Sequence, residues 1–231
     1  MSRIWWIPMN VLMAGRCFAL AVLMATSFFG AEQTLRERAL KEGHVHARPI
    51  VDYVGGCCAD LADLVKRSEI IVRGKVTDSD GRFSHDEREV WTDYTISVQE
   101  IYKPGGESSF VPGAKIQTTR LGGHVVVYGA TPQWHPPEPL AAHLVEYDVG
   151  TSPIPQGMPE IFFIATCSGP ECSGRYSFFP GLEAISLDNG QVSCSARPSR
   201  VWKPYCGMTT DNFISAVKEK VASPVPGGAL K

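Results

Sequence analysis

Residues 90–98 read VWTDYTISV, and this stretch indicates the fold class. Every second position carries an apolar or β-branched side chain, while polar side chains occupy most positions between them. Side chains of a β-strand alternate between its two faces, so the pattern predicts a strand with one buried face. Such strands are typical of antiparallel sheets that have one face on the core. The positions that we expect to be buried are Val90, Thr92, Tyr94, Ile96 and Val98.

Further segments rich in β-branched residues lie on both sides of this strand. The turn signal DSDG at 78–81 ends the segment before it, and the hairpin signal DNG at 188–190 joins the last two segments. Composition and alternation together predict an all-β domain. The other predicted strands are Glu69–Thr77, Ala114–Leu121, His124–Tyr128, Glu160–Cys167, Arg175–Phe179, Glu183–Leu187 and Gln191–Ser195.

Short helices are predicted before and after these strands. Apolar residues recur at helical spacing within Asp60–Arg67. The closing helix follows Thr209 or Thr210, and Pro224 ends it. The residues that form its buried stripe are Phe213, Ile214, Val217 and Val221.

The segment Pro132–Pro159 contains seven prolines in 28 positions, which is too many for a regular element. We expect it to be a long surface excursion. It carries Trp134, His135 and Tyr147, which we expect to face a ligand. Trp91 belongs to the same group, because it lies on the outward face of its strand. The alternative is that the insertion folds back and covers Trp91.

Residues 1–31 have the layout of a secretory signal peptide. Arg3 and Arg16 supply positive charge, Cys17–Met24 is apolar, and small residues follow. The apolar run is shorter than the roughly 20 residues that cross a bilayer, so we expect cleavage and no stable membrane span. The protein should therefore be secreted or periplasmic.

The rest of the chain divides into three parts. We expect a flexible lead-in over 32–56, with one short helix at Glu32–Glu42. The β domain with its proline-rich insertion occupies 57–222, and a disordered tail follows over 223–231. Without the signal, 20 basic residues stand against 24 acidic ones. This mild acidic balance argues against nucleic acid as a partner and leaves a protein or small ligand outside the cytoplasm.

Six cysteines follow the signal peptide, which favours a disulfide framework. Cys167 and Cys172 flank four residues and should face each other at the mouth of a hairpin. We expect Cys57 and Cys58 to bond to the remaining pair, Cys194 and Cys206. The alternative is a local bridge within that pair, which would leave Cys57 and Cys58 outside it and allow a redox or metal role.

The chain lacks the spacing of a known catalytic or cofactor motif. Gly-x-Ser-x-Gly is absent, and the histidines do not have the close spacing of a zinc site. We therefore expect no enzyme activity, no cofactor and no metal. The histidines that this spacing concerns are His44, His46, His124, His135 and His143.

Four stretches carry a resemblance to a known group. They are LVKRSEIIVRGKV at 64–76, VQEIYK at 98–103, PG at 112–113 and MTTDNF at 208–213. This order resembles a widespread group of uncharacterised exported bacterial proteins. The resemblance implies a small closed OB-like β-barrel with N- and C-terminal flanking helices, and it implies no activity. A weaker likeness is to the inhibitory domain of tissue metalloproteinase inhibitors.

These observations predict a disulfide-stabilised exported module that binds a ligand or has a structural role without catalysis. The insertion is its expected partner-facing surface, because binding residues commonly lie on loops held by a rigid scaffold. Inhibition of an extracellular protease is the first alternative, in line with the weaker likeness. A metal or thiol redox protein is the second.

Overall fold

A computed structural model describes residues 33–48, 58–106, 110–129, 141–148, 154–167, 169, 171–172, 175–179, 182, 184–194 and 199–223. This part of the chain is β-rich, as predicted. Its α-helices are α1 (Leu35–Glu42), α2 (Leu61–Arg67) and α3 (Thr210–Ala222), with a short 3-10 helix at Lys203–Tyr205. Its strands are β1 (His44–Ala47), β2 (Ile70–Phe83), β3 (Val90–Lys103), β4 (Lys115–Leu121), β5 (Gly123–Gly129), β6 (Ala141–Tyr147), β7 (Pro159–Thr166), β8 (Tyr176–Phe178), β9 (Ala184–Asp188) and β10 (Gln191–Ser193).

The larger sheet, here called the main sheet, has the strand order β10-β9-β7-β2-β3-β4-β8. Its neighbours are antiparallel except for the parallel pair β4 and β8. The short strand β8 also pairs with β7 in antiparallel fashion. Five strands of the main sheet are thus each hydrogen-bonded to two others of the same five. They are β7, β2, β3, β4 and β8.

Strand β3 confirms the alternation that predicted it. The five side chains expected on its buried face are each 7% exposed or less. They point into the core, while Asp93, Thr95 and Ser97 lie on the other face and remain partly exposed. The strand ends at Lys103, directly before Pro104, which cannot donate to the ladder.

The turn predicted at 78–81 is wrong, because these residues continue β2. Residues Asp78 to Phe83 pair one by one with Thr95 to Val90, so the long β3 has a partner along its whole length. The chain reverses at 84–89 instead. There the Ser84 hydroxyl donates to Asp86 Oδ1 at 2.7 Å and accepts from the backbone N–H of Glu89 at 2.9 Å.

Buried apolar side chains of the described residues form three clusters. The first joins α2 and α3 to one face of β7, and the second lies among β2, β3, β4, β7 and β8. Strand β7 contributes to both, because Phe163 faces the first cluster and Phe162 the second. This explains why its sequence is continuously apolar instead of alternating.

The closing helix packs as predicted, except that Val221 near its end is only partly buried. Phe213 and Val217 are fully buried, and Ile214 is 9% exposed. Phe213 also contacts the rings of Trp202 and Tyr205 at centroid distances of 6.4 and 5.3 Å. The helix is therefore part of the first cluster and not a detached tail.

The second sheet, here called the small sheet, corrects two predictions. Strand β1 lies in the expected flexible lead-in, and β6 lies within the expected excursion Pro132–Pro159. They pair in parallel, and β5 pairs with the other side of β6, in the order β1-β6-β5. The helix predicted at Glu32–Glu42 is present as α1, with a capping box at Thr34. Apolar residues of α1 cover the buried face of this sheet.

Disulfides among the described residues join Cys167 to Cys172 and Cys194 to Cys206, each with a Cα separation of 5.6 Å. The first bridge is the one predicted. The expected bonding of Cys57 and Cys58 to the second pair is wrong, and the local bridge is present instead. Hydrogen bonds between Val192 and the turn at Gly207 and Met208 hold β10 beside the segment before α3, which brings this pair together. Cys57 lies outside the described residues, and Cys58 is half-buried against the first cluster.

The predicted signal peptide over 1–31 and the tail beyond residue 223 lie outside the described residues. Among the helices that are described, none combines the length and the apolar character needed to cross a membrane.

Candidate functional site

Three neighbouring strands of the main sheet border a cavity of about 200 Å³. Its lining comes from β2, β3 and β4, with one residue from the segment directly before β8. The strand register brings the polar side chains together, because Asp78 lies opposite Thr95 and Asp80 lies opposite Asp93. We call this feature the acidic cavity. Its charged and amide side chains are Asp78, Asp80, Asp93, Gln117 and Arg175.

A β-bulge in β2 gives the cavity two of its carboxylates. Val76 is buried and pairs with Ile96, whereas Asp78 pairs with Thr95, so Thr77 is an extra residue in the ladder. A shift of one residue moves every following side chain to the other face of a strand. Without the bulge, Asp78 would share the buried face of Val76. With it, both Asp78 and Asp80 are exposed on the cavity side.

Asp93 is the neutralised carboxylate of the cavity. Its Oδ2 atom accepts hydrogen bonds from Arg82 Nε at 3.0 Å and from Arg175 Nη1 at 2.7 Å. Burial raises the pKa of this carboxyl, but hydrogen bonding with Thr119 and Arg175 and the charge of Arg82 outweigh it and lower the pKa below its usual value. Asp93 is therefore ionised at neutral pH.

Asp78 and Asp80 have a different environment. Within the described part of the chain, no basic side chain lies within ion-pair distance of either carboxylate. Among the described residues, Asp78 Oδ1 accepts a hydrogen bond from the backbone N–H of Ser79, at 3.0 Å. Asp80 lies directly across from Asp93, and like charges in that position are destabilising. The cavity thus holds two carboxylates that have no ion-pair partner among the residues that the structure describes.

A loop between β7 and β8 supports the rim of the cavity. Glu171 accepts the backbone N–H of His85 at 2.8 Å, and its side chain lies 3.5 Å from Arg82 Nη1. Arg82 Nη2 also donates to the Glu171 carbonyl at 2.8 Å. We call Arg82, Asp93, Glu171 and Arg175 the Asp93 network. It connects the tip of the β2–β3 hairpin to the loop that the Cys167–Cys172 disulfide closes.

The exposed face of the small sheet collects histidines from distant parts of the chain. His44 Nε2 and His46 Nδ1 lie 3.3 and 3.5 Å from the same oxygen of Glu146. His124 lies opposite Glu146 on the next strand. No three His, Cys, Asp or Glu side chains of the described residues are arranged to hold a metal ion. The contact of His44 with Glu146 is a hydrogen bond between exposed groups.

The structure separates the residues predicted to face a ligand. The prediction that Tyr147 faces a ligand is wrong. This side chain is 7% exposed and belongs to the third cluster, because it lies on the inward face of β6. Trp91 is half-buried, and its Nε1 donates to Glu89 at 3.2 Å. Trp134 and His135 lie outside the described residues.

Asp78 and Asp80 were missed, because their sequence favours a turn. The signal that could have found them is the difference in length between two neighbouring predicted strands. The strand that runs from Val90 to Lys103 needs a longer partner than Glu69–Thr77.

The chain matches no known protein family, and no curated protein is similar to it. The chemistry of the acidic cavity must therefore be judged from its side chains. The described residues of its lining include no imidazole or thiol. Carboxylates, an amide and hydroxyl groups instead supply hydrogen-bond acceptors. This set is suited to hold a positively charged group.

Proposed function

We propose that this protein is an exported binding module without catalytic activity and that its acidic cavity holds a positively charged group of a ligand. The observation that carries the proposal is the pair of carboxylates, Asp78 and Asp80, that have no basic partner among the described residues. A cation in the cavity would be attracted by both of these carboxylates.

The size of the cavity limits the ligand. At about 200 Å³ it is smaller than the roughly 300 to 1,000 Å³ of sites that enclose whole small molecules. It therefore suits a single ammonium or guanidinium group. Such a group can belong to a small molecule or to a basic side chain of a protein. The proline-rich residues 132–140, which lie between β5 and β6 in the sequence, remain the proposed additional contact surface, because binding residues commonly lie on loops held by a rigid scaffold.

We further propose that the scaffold is a closed OB-like barrel. The pairing of β8 with both β4 and β7 supports this, since it links β7, β2, β3, β4 and β8 pair by pair without a free end. The second apolar cluster also draws residues from all five strands. A rigid barrel would keep the carboxylates in place.

Export to an oxidising compartment is part of the same proposal. The signal-like pattern over 1–31 and the two disulfides of the described residues support it. Fusion of residues 1–31 to a reporter that is active only outside the cytoplasm tests it directly.

Binding is tested by NMR titration of the purified protein with methylammonium and guanidinium at low ionic strength, with acetate as the anionic comparison. We expect shifts of the backbone amides of residues 78–80, 93–95 and 117 with both cations and not with acetate. The double variant Asp78→Asn/Asp80→Asn should lose these shifts, because it removes both charges without a large change of shape.

The matched control is Asp188→Asn, which makes the same chemical change at an exposed position of the β9–β10 hairpin. It should keep the response of the wild-type protein. Absence of any cation-specific shift, or shifts that survive in the double variant, would show that the cavity is not a cation site.

A further inference from the structure

We propose that the Cys167–Cys172 disulfide is a redox-sensitive control of the acidic cavity and that its reduction detaches Arg175 and Glu171 from the Asp93 network. The inference deepens the proposed function, because it names what sets the charge of the binding site. The expected effect of reduction on ligand affinity rests on that function. The expected effect of reduction on the titration of Asp93 does not, so the two effects can be tested separately.

The disulfide is tied directly to Arg175. The backbone N–H of Cys167 donates to the Arg175 carbonyl at 3.0 Å, and the backbone N–H of Arg175 donates to the Cys172 carbonyl at 2.9 Å. Both cysteines therefore hydrogen-bond to the same residue, and the disulfide joins them. Arg175 is held where its guanidinium reaches Asp93 at 2.7 Å.

The second connection runs through Glu171, the residue before Cys172. Its carbonyl and carboxylate both contact the guanidinium of Arg82, and Arg82 donates to Asp93 at 3.0 Å. One of the two arginines that neutralise Asp93, Arg175, is thus positioned by the segment that the disulfide ties together, while the other, Arg82, is in contact with that segment through Glu171. Opening the loop would withdraw Arg175 from Asp93 and leave Arg82 as its basic partner among the described residues.

The redox step has a simple balance. A thiolate of an external dithiol attacks one sulfur of the bridge, and its second thiol completes the exchange. The dithiol becomes a disulfide, and Cys167 and Cys172 each end as a thiol, with two electrons and two protons transferred. The half-exposed Cys167 is the accessible sulfur, since Cys172 is only 1% exposed. Cys172 is therefore the leaving thiolate.

The first experiment measures the carboxyl titration of Asp93 by carbon-detected NMR. In the oxidised wild-type protein the pKa should lie below its usual value, as the contacts of Arg82 and Arg175 require. In Cys167→Ser/Cys172→Ser it should move up towards the usual value. Cys194→Ser/Cys206→Ser is the matched control, and it should leave the titration unchanged because that bridge lies outside the Asp93 network.

The same measurement on the Cys194→Ser/Cys206→Ser protein, before and after treatment with dithiothreitol, gives a second route if the first variant does not fold. An Asp93 titration that is the same with and without the Cys167–Cys172 bridge would overturn the inference, whatever the cavity binds.

The second experiment measures guanidinium affinity in the oxidised and reduced states. Withdrawal of the Arg175 charge from the cavity lining should raise the affinity about threefold, which is the scale of one partly exposed ion pair. An equal or weaker affinity in the reduced state would overturn the control while leaving the binding site intact. Absence of binding in both states would remove the proposed function but not the result on Asp93.

Discussion

The main sheet and the small sheet are assembled in opposite ways. The core of the main sheet is a run of hairpins, in which β2 pairs with β3 and β3 with β4 along the chain. The small sheet joins β1 to β6, and the contact between His44 and Glu146 spans 102 residues. Its strands are also shorter, at four to seven residues, whereas β2 and β3 have 14 each.

This difference shows which strand pairings can be predicted from a short stretch of sequence. A hairpin needs two alternating segments and a turn, all within about 30 residues, so its signal is local. In the small sheet β5 was predicted, as His124–Tyr128, whereas β1 and β6 carry no such local signal and pair across about 100 residues of sequence. We therefore expect the main sheet and its helices to carry most of the stability, and the following changes test this.

The largest effect is expected in the first cluster. Phe213→Ala removes a fully buried ring that contacts Trp202 and Tyr205 and should lower the free energy of unfolding by about 3 to 5 kcal/mol. Asn212→Ala, at the exposed neighbouring position, should change it by less than about 0.5 kcal/mol. Urea melts of the two variants measure the contrast. Equal effects would mean that α3 does not support the main sheet.

The second effect compares the disulfides. Cys194→Ser/Cys206→Ser opens the longer loop and should cost about 3 kcal/mol, while Cys167→Ser/Cys172→Ser should cost about 2 kcal/mol by loop-closure entropy. The sequence separations of 12 and 5 residues set this order. Thermal melts under oxidising conditions measure it. A reversed order would show that the β7–β8 loop contributes to stability through more than its covalent closure.

A third effect is expected in the small sheet. Val45 is 1% exposed, so Val45→Ala should cost about 2 kcal/mol, from two lost methyl groups and the cavity they leave. Val126→Ala makes the same change on the exposed face of the same sheet, where the side chain is 42% exposed, and should have little effect. Hydrogen exchange should show lost protection in β1 and β6 before the main sheet. Uniform loss across both sheets would show that they unfold as one unit.

The smallest effect concerns acid stability. The pKa of Asp93 is lowered in the folded protein, so its contribution to stability is present above the unfolded value of about 4 and is lost as the pH falls through the folded value. Asp93→Asn should therefore be less stable at neutral pH and show a flatter loss of stability below about pH 4. Asp188→Asn provides the control for the change of charge alone. If the free energy of unfolding fell with pH in the same way as in the wild-type protein, the protonation of Asp93 would not be linked to folding.

The candidate site shows the same division between local and distant information. The strand that carries Asp93 was predicted, including the face on which Asp93 lies. Asp78 and Asp80 were assigned to a turn, because aspartate and glycine favour turns wherever no partner strand is considered. Only pairing with β3 extends β2 through these residues, and only the bulge at Thr77 turns their carboxylates outward.

Sequence alone determined the strands and helices whose periodicity lies within one segment, such as Val90–Lys103 and Thr210–Ala222, together with the Cys167–Cys172 bridge. Tertiary structure decided the pairing of β1 with β6, the second disulfide, the inward position of Tyr147 and the acidic cavity. The physical reason is that periodicity and turn preference are properties of neighbouring residues. Register, bulges and cross-strand charges arise only when segments distant in sequence come into contact.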